Sequence, residues 1–222
     1  MTINRVIGKG RTTPLDADDF ARLRKAYATV AVDVGTGDGR FPYQLASEDP
    51  GRLAIGIDAL AEPMGERAAT AARKPARGGR PNLLYVHSAV ETLPEELAGV
   101  ADAVYVQLPW GALLEGIVRA RSDVLAGIAR LCRPQARVIV TLNGEIWEES
   151  TPARYADLPV PTPAYVADVV APGFAGVGIA LGPARYATVA EAKELATTWA
   201  RRLGHAREHP RFVQFEGVAP AA

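Results

Sequence analysis

Val30-Ala31-Val32-Asp33-Val34-Gly35-Thr36-Gly37-Asp38-Gly39-Arg40 is the stretch that decides the fold. Val30 to Val34 is an apolar run of strand length, rich in β-branched side chains and broken by one acid. Three alternate glycines follow, and then a helix-patterned segment from Phe41 to Glu48. Glycine permits a tight turn and lets the backbone come close to a ligand at the carboxyl end of a strand. A dinucleotide fingerprint would carry its third glycine where Arg40 stands. Asp33 would repel a pyrophosphate, so nicotinamide-linked oxidoreduction is disfavoured.

Outward from this turn, strand-length apolar runs alternate with helix-patterned segments. The runs are Thr29 to Val34, Leu53 to Asp58, Asn82 to His87, Ala101 to Leu108 and Ala136 to Leu142. Between them lie Phe41 to Glu48, Ala61 to Lys74, Glu91 to Leu97 and Leu113 to Leu131, rich in Ala, Leu, Arg and Glu. That alternation predicts a doubly wound α/β domain with helices on both faces of a parallel sheet. Three segments stand outside it. Ile3 to Thr13 reads as a strand-like stretch punctuated by Gly8 and Gly10, before a helix capped by Asp16. Asn143 to Pro163 is a Pro-rich connection with Trp147 and Tyr155, too long for a turn. From Thr188 the tail reads as a helix to Leu203 and a strand from Phe212 to Gly217.

Composition narrows the function. Lys and Arg number 25 against 25 Asp and Glu in 222 residues, which argues against an indiscriminate nucleic-acid binder. The balance is uneven along the chain. Glu62 to Arg80 carries a net +3 through Arg67, Arg73, Lys74, Arg77 and Arg80, and Arg201 to Arg211 another +3, leaving −6 elsewhere. Two such runs fit docking on one face of a structured RNA. Cys132 alone excludes a disulfide framework and a cysteine-built metal site, so an intracellular protein is expected. His205 and His209 lack a third ligand, and no metal is expected. Met1 to Arg11 is polar and basic, so no targeting peptide is expected. Val166 to Ala184 is broken by Asp168, Pro172 and four glycines, so no membrane span is expected either.

The acid and glycines at 33, 35, 37 and 39 resemble the Asp-x-Gly-x-Gly-x-Gly pattern of class I S-adenosylmethionine-dependent methyltransferases. An ammonium group on that cofactor gives the acid its use. Asp58 ends the second run, where a carboxylate can accept both ribose hydroxyls, and Ala89, Val90 and Glu91 follow the third, where such folds hold the adenine ring. The fourth run ends Gln107-Leu108-Pro109-Trp110, at the place where amino-methylating enzymes of DNA carry Asn/Asp-Pro-Pro-aromatic. The stacking role carries over to Trp110, while Leu108 in place of the second proline leaves the amine-accepting role unassigned. Trp199, followed by Arg201 and Arg202, could stack a second face of a base and hold its phosphates.

Taken together, Arg5-Val6-Ile7-Gly8-Lys9, Asp33 to Gly39 with Pro42-Tyr43, Lys74 to Gly79 before Pro81 to Tyr85, Pro109-Trp110-Gly111 and Thr197-Thr198-Trp199 resemble one family. It comprises the aminoglycoside-resistance methyltransferases of N1 of adenine 1408 in bacterial 16S rRNA. The resemblance runs from about Arg5 to Gly217. It implies a single class I, Rossmann-like methyltransferase domain over 1–222, with a mostly parallel seven-stranded sheet and helices on both faces. An N-terminal β-hairpin over 1–14, a basic linker over 59–81 and a long recognition loop over 143–163 would be added to it. It further implies a cytoplasmic monomer that acts on the assembled 30S subunit and flips the adenine between Trp110 and Trp199, with Thr197 bracing the base or its Trp partner. S-adenosyl-L-methionine, leaving as S-adenosyl-L-homocysteine, would be held by Asp33, Gly35, Thr36, Gly37, Gly39, Asp58, Ala59, Ala89, Val90, Glu91 and Leu108. Arg67, Arg73, Lys74, Arg77, Arg201, Arg202 and Arg207 would grip rRNA. Ala112 departs from the hydroxyl residue of the family, and the basic segment favours arginine over lysine. Adenine N1 carries an in-ring lone pair, so its attack on a sulfonium methyl needs alignment but no catalytic base. Two other functions are open to such a chain: methylation of tRNA at a guanine N7, and cofactor and rRNA binding without turnover.

Overall fold

The structure, a computed structural model, describes residues 2–147, 152–188, 190–191 and 211–221. It begins with a hairpin of β1 (Ile3–Gly8) and β2 (Arg11–Leu15), which turns through Lys9 and Gly10 at φ 49° and 70°. Asp16 then caps α1 (Ala17–Lys25), its Oδ1 accepting the Asp19 N–H at 2.8 Å. The parallel strands are β3 (Thr29–Val34), β4 (Arg52–Asp58), β5 (Leu83–His87), β6 (Ala101–Gln107) and β7 (Cys132–Asn143). Between them run α2 (Arg40–Glu48), α3 (Ala61–Ala71), α4 (Gly111–Val118) and α5 (Ser122–Leu131). After β7 come α6 (Pro163–Tyr165), a π-helical stretch Val166–Val170 and α7 (Ala171–Gly176). Two-residue strands β8 (Ala180–Leu181) and β9 (Arg185–Tyr186) and the long β10 (Phe212–Val218) complete the sheet.

Strand order is β2-β1-β5-β4-β3-β6-β7-β10-β8, with β9 also pairing β10. The seven sheet positions expected are β5, β4, β3, β6, β7, β10 and, at the edge, the short β8 and β9. The hairpin extends the sheet beyond β5 through Arg5 opposite Val86. β10 enters antiparallel to β7, with Gln214 opposite Thr141. The chain steps from β3 out through β4 to β5, then returns to the other side of β3 for β6 and β7. Crevices at the carboxyl ends of strands form at such a reversal. One face of the sheet carries the main core, including Val32, Ile55, Leu114, Ile128, Phe174 and Phe215. The other carries Ala31, Leu45, Ala46 and Ala54, with Phe41 and Tyr105 edge-to-face at 5.0 Å. Both faces of the parallel strands are therefore buried, which is why those strands read as near-continuous apolar runs. Among the described residues no helix is long and apolar enough to cross a membrane.

Four elements differ from the sequence reading. The helix from Ala61 stops at Ala71, because Lys74 precedes Pro75 and is extended at ψ 145°. The segment Glu91 to Leu97 forms two 3₁₀ turns, Val90–Thr92 and Glu95–Leu97, since Pro94 removes a donor and holds Leu93 at ψ 140°. The helix read from Leu113 to Leu131 is two helices, α4 and α5, separated at Ala120, whose φ is 50°. β7 starts at Cys132, before Pro134, and accommodates Gln135 at φ 65°. The helix expected to reach Leu203 falls largely outside the described residues.

Candidate active site

The glycine turn closes over the end of β4. Gly35, Gly37 and Gly39 have φ of 75°, 57° and 74°, a region that side chains disfavour. The N–H groups of Gly35 and Thr36 donate to the Ile57 carbonyl at 2.8 and 3.0 Å. Asp58 closes the loop: its Oδ2 accepts the Gly37 N–H at 2.8 Å and its Oδ1 the Leu60 N–H at 2.9 Å. Each oxygen keeps a lone pair for a ligand hydroxyl. Gly39 sits behind the turn, where a Cβ would meet the Tyr85 ring at 2.5 Å, and its carbonyl accepts the Tyr85 hydroxyl at 2.6 Å.

A cavity of about 720 Å³ opens at the carboxyl ends of β3, β4, β5 and β6. From the glycine turn it is lined by Asp33, Gly35, Thr36 and Gly37, and from the end of β4 by Asp58 and Ala59. Ala89, Val90 and Glu91 follow β5 into it, and Leu108 and Trp110 follow β6. Of the cofactor residues expected from sequence, Gly39 alone does not line it. Arg67, Arg73, Lys74 and Arg77 lie away from this cavity. Arg67 and Arg80 stack on the Tyr43 ring at 5.6 and 5.0 Å, while Arg73, Lys74 and Arg77 are exposed. Thr197, Trp199, Arg201, Arg202 and Arg207, with His205 and His209, lie outside the described residues.

The charge in the cavity is acidic. Asp33 is 2% exposed, and its Oδ1 has no hydrogen-bond partner. Burial pushes its carboxyl from 3.8 up to about 7; the Thr36 hydroxyl opposes this, and the neighbouring Asp58 and Asp38 add to it. The Asp58 carboxyl is also raised, chiefly by burial, against the two N–H groups it accepts. A buried carboxylate with one oxygen outside any hydrogen bond, beside the Thr36 hydroxyl, fits a cationic, amine-bearing ligand and would reject a pyrophosphate. The cavity thus fits S-adenosylmethionine in shape and charge.

The Val90 turn is held by close packing. A Cβ on Gly127 of α5 would sit 2.1 Å from the Val90 carbonyl oxygen, so α5 can reach the turn only as glycine. Gly127→Ala is expected to lower stability by about 1–2 kcal/mol, overpacking outweighing the better helix propensity of alanine. Thermal denaturation measures the stability loss, and calorimetry should show weaker cofactor binding as the turn is displaced.

Aromatic residues that sequence reasoning did not assign build the opposite wall. Tyr155, fully buried, comes from the long connection after β7, and its hydroxyl accepts the Gly111 N–H at 2.8 Å. Its ring lies 5.7 Å from Trp110 and 6.3 Å from Trp147. Arg154 lies over Tyr155 at 5.2 Å and bonds Glu115 through Nε and Nη2 at 3.0 and 2.7 Å. Tyr155 thereby fixes the backbone just after Trp110, which is half-buried against the core at the cavity edge. Phe41, Gln107, Leu113 and Ser88 also line the cavity, and all but Ser88 and Phe41 adjoin the Pro109-Trp110 stretch.

A switch-point cavity with an acid before a glycine triplet and a second acid ending the next strand defines a class I S-adenosylmethionine-dependent methyltransferase. Residues 4–218 match the family model of NpmA, 16S rRNA (adenine(1408)-N(1))-methyltransferase, and the chain belongs to that family. The 16S rRNA (adenine(1408)-N(1))-methyltransferase of Streptoalloteichus tenebrarius is 41% identical over 206 residues, covering 93% of this chain and 94% of that protein. The Escherichia coli enzyme of that name is 30% identical over 204 residues, covering 91% and 93%. The crystal structure of the corresponding enzyme from Catenulisporales acidiphilia matches with a TM-score of 0.88 at 38% identity, over 97% of this chain and 98% of that one. A Trp-to-Ala mutant of that enzyme with its cosubstrate SAM matches with a TM-score of 0.88 at 36% identity, over 98% and 97%.

Proposed function

We propose that this enzyme methylates N1 of adenine 1408 of 16S rRNA in the assembled 30S subunit, acting as a cytoplasmic monomer and giving aminoglycoside resistance. The observation that carries the reading is Trp110, braced by Tyr155 at the edge of the acidic cavity, where a flipped base can stack. Trp199 supplies the second stacking face, and Thr197 braces the base or this Trp. When bound, S-adenosylmethionine supplies an electrophilic methyl group on a sulfonium. Adenine N1 forms the bond to the methyl carbon as the carbon–sulfur bond breaks, the sulfur keeping that electron pair, so no proton moves. Asp33 takes the ammonium group, Asp58 the ribose hydroxyls, and Ala89 to Glu91 with Leu108 the adenine ring of the cofactor. The carboxylates of the cavity, Asp33, Asp58 and Glu91, serve the cofactor, and the transfer asks none of them to take a proton. The indole faces favour the cationic product base. Exposed Arg73, Lys74 and Arg77, with Arg201, Arg202 and Arg207, grip rRNA phosphates.

Primer extension on intact 30S subunits incubated with enzyme and cofactor tests the proposal. A reverse-transcription stop at adenine 1408 is expected. Labelled methyl groups in bulk tRNA, with no stop on 30S, would instead indicate the guanine-N7 activity. Tight cofactor and 30S binding without product would indicate a binding protein.

A further inference from the structure

Gln107, the last residue of β6, is 8% exposed. Its Oε1 is shut off from solvent and has no hydrogen-bond partner, although the residue lines the cavity beside Trp110. A buried amide oxygen without a donor is costly compared with an apolar side chain of the same size. Thr141, its register partner on β7, is buried with its own hydroxyl unpartnered, so the neighbouring strand does not hold the amide. The next residue is strained. Leu108, 3% exposed, has φ 50°, and its N–H is tied to the Thr141 carbonyl at 2.8 Å. Bulky residues keep a left-handed backbone only where their surroundings enforce it, and such strain clusters at binding sites. Here it ends β6 with Gln107 among the cavity-lining residues and leads the chain on to Trp110.

We propose that Gln107 reads the flipped adenine, its amide contacting the N6 amine and N7 together. The inference rests on the adenine-methylation reading above and adds the group that orients the base. A glutamine amide offers one acceptor and one donor side by side, which matches N6–H and N7 of adenine in a two-bond contact. Rotation of the amide by 180° exchanges its oxygen and nitrogen, so either can face the amine. This contact occupies the edge away from N1 and leaves the N1 lone pair free to attack. It also strengthens during the reaction. Methylation at N1 spreads positive charge onto N6, so the N6–H bond to the amide oxygen is stronger in the transition state than in the bound base. Guanine, with O6 and N7 both acceptors, sets the amide oxygen against an acceptor in either amide orientation and is rejected.

A chemical double-mutant cycle tests the contact. Gln107→Met keeps the length and removes the amide; 30S subunits reconstituted with purine in place of adenine at position 1408 remove the N6 amine. Single-turnover incorporation of labelled methyl is measured for all four combinations, with cofactor affinity by calorimetry and 30S affinity by competition. Gln107→Met is expected to slow methylation of adenine by about 5- to 150-fold, with both affinities unchanged within about threefold. Loss of the amine should slow the wild type by a similar factor and the Met variant hardly further. Should the Met substitution lower the melting temperature, Gln107→Leu takes its place in the cycle; Gln107→Asn, which retains the amide on a shorter stem, should recover part of the rate. Wild-type speed in both variants, or fully additive losses, would overturn the inference. A fall in cofactor affinity equal to the fall in rate would overturn it too, and assign the amide to the cofactor. No product from the wild type on adenine would overturn the adenine-methylation reading itself; product with uncoupled losses overturns only the role of Gln107.

Discussion

Asp33→Asn is expected to make the cofactor-free protein more stable above neutral pH while weakening its hold on the cofactor. Asp33 is 2% exposed with an unpartnered oxygen, and burial moves its carboxyl from 3.8 to about 7. The folded state therefore holds this proton more tightly than the unfolded chain. Stability falls as pH rises between these two values, and above the upper one the whole deficit is present. A gap of this size corresponds to a deficit on the order of 2–4 kcal/mol. Asparagine has the same shape without the charge, so the difference between variant and wild type should widen from pH 5 to pH 8, measured by denaturant unfolding. A constant difference over that range would mean that Asp33 does not titrate there. Cofactor binding should run the other way. An ammonium group favours the ionised carboxylate, so wild-type affinity should fall by up to about tenfold per pH unit below 7. The variant should bind about 10- to 150-fold more weakly at pH 8 and show a flatter profile, read by calorimetry. The unpaired charge is thus a cost to the empty fold that the ligand relieves.

The features that made the fold legible are those fixed by local chemistry. Asp33 and the three glycines encode their turn within seven residues, and the five parallel strands are buried on both faces, so their apolar runs stand out. The helix break at Ala120 left no such trace, because neither glycine nor proline stands there: an alanine at φ 50° takes the place usual for glycine where the Arg121 N–H closes the helix end onto the Gly116 carbonyl at 2.8 Å. Pro94 did mark the break in Glu91 to Leu97, but helix-favouring composition around it masked the signal. In the site, Asp58 and the Val90 turn were legible from their offsets after strand ends. Tyr155 was not. Its bond to Gly111 exists only once a Pro-rich connection folds back across the sheet, and no periodicity encodes that return. Gln107 was visible as a residue, yet its significance comes from an unpartnered oxygen that only the packed structure reveals.

Trp110→Ala should separate stacking from folding. The indole is half-buried against the core and 5.7 Å from the Tyr155 ring, so its loss removes some packing as well as a base platform. The packing loss should cost about 1–3 kcal/mol of stability, less than for a fully buried Trp. Stacking of one base on an aromatic contributes about 1–3 kcal/mol, so methylation of 30S at saturating cofactor should slow by about 5- to 150-fold. Cofactor affinity should stay nearly unchanged, because Asp33, Asp58 and the Val90 turn come from other strands. Trp110→Phe keeps a smaller face and should recover part of the rate. Tyr155→Phe gives the complementary control: it removes only the acceptor of the Gly111 N–H and should produce a milder version of the Trp110→Ala defect, through misplacement of an intact indole. If Trp110→Ala instead loses cofactor binding in proportion to methylation, or unfolds at working temperature, Trp110 is a core residue and the base must stack elsewhere. A selective loss of transfer, graded from Tyr155→Phe through Trp110→Phe to Trp110→Ala, is the pattern that a positioned stacking face requires, since catalysis without a base depends on alignment.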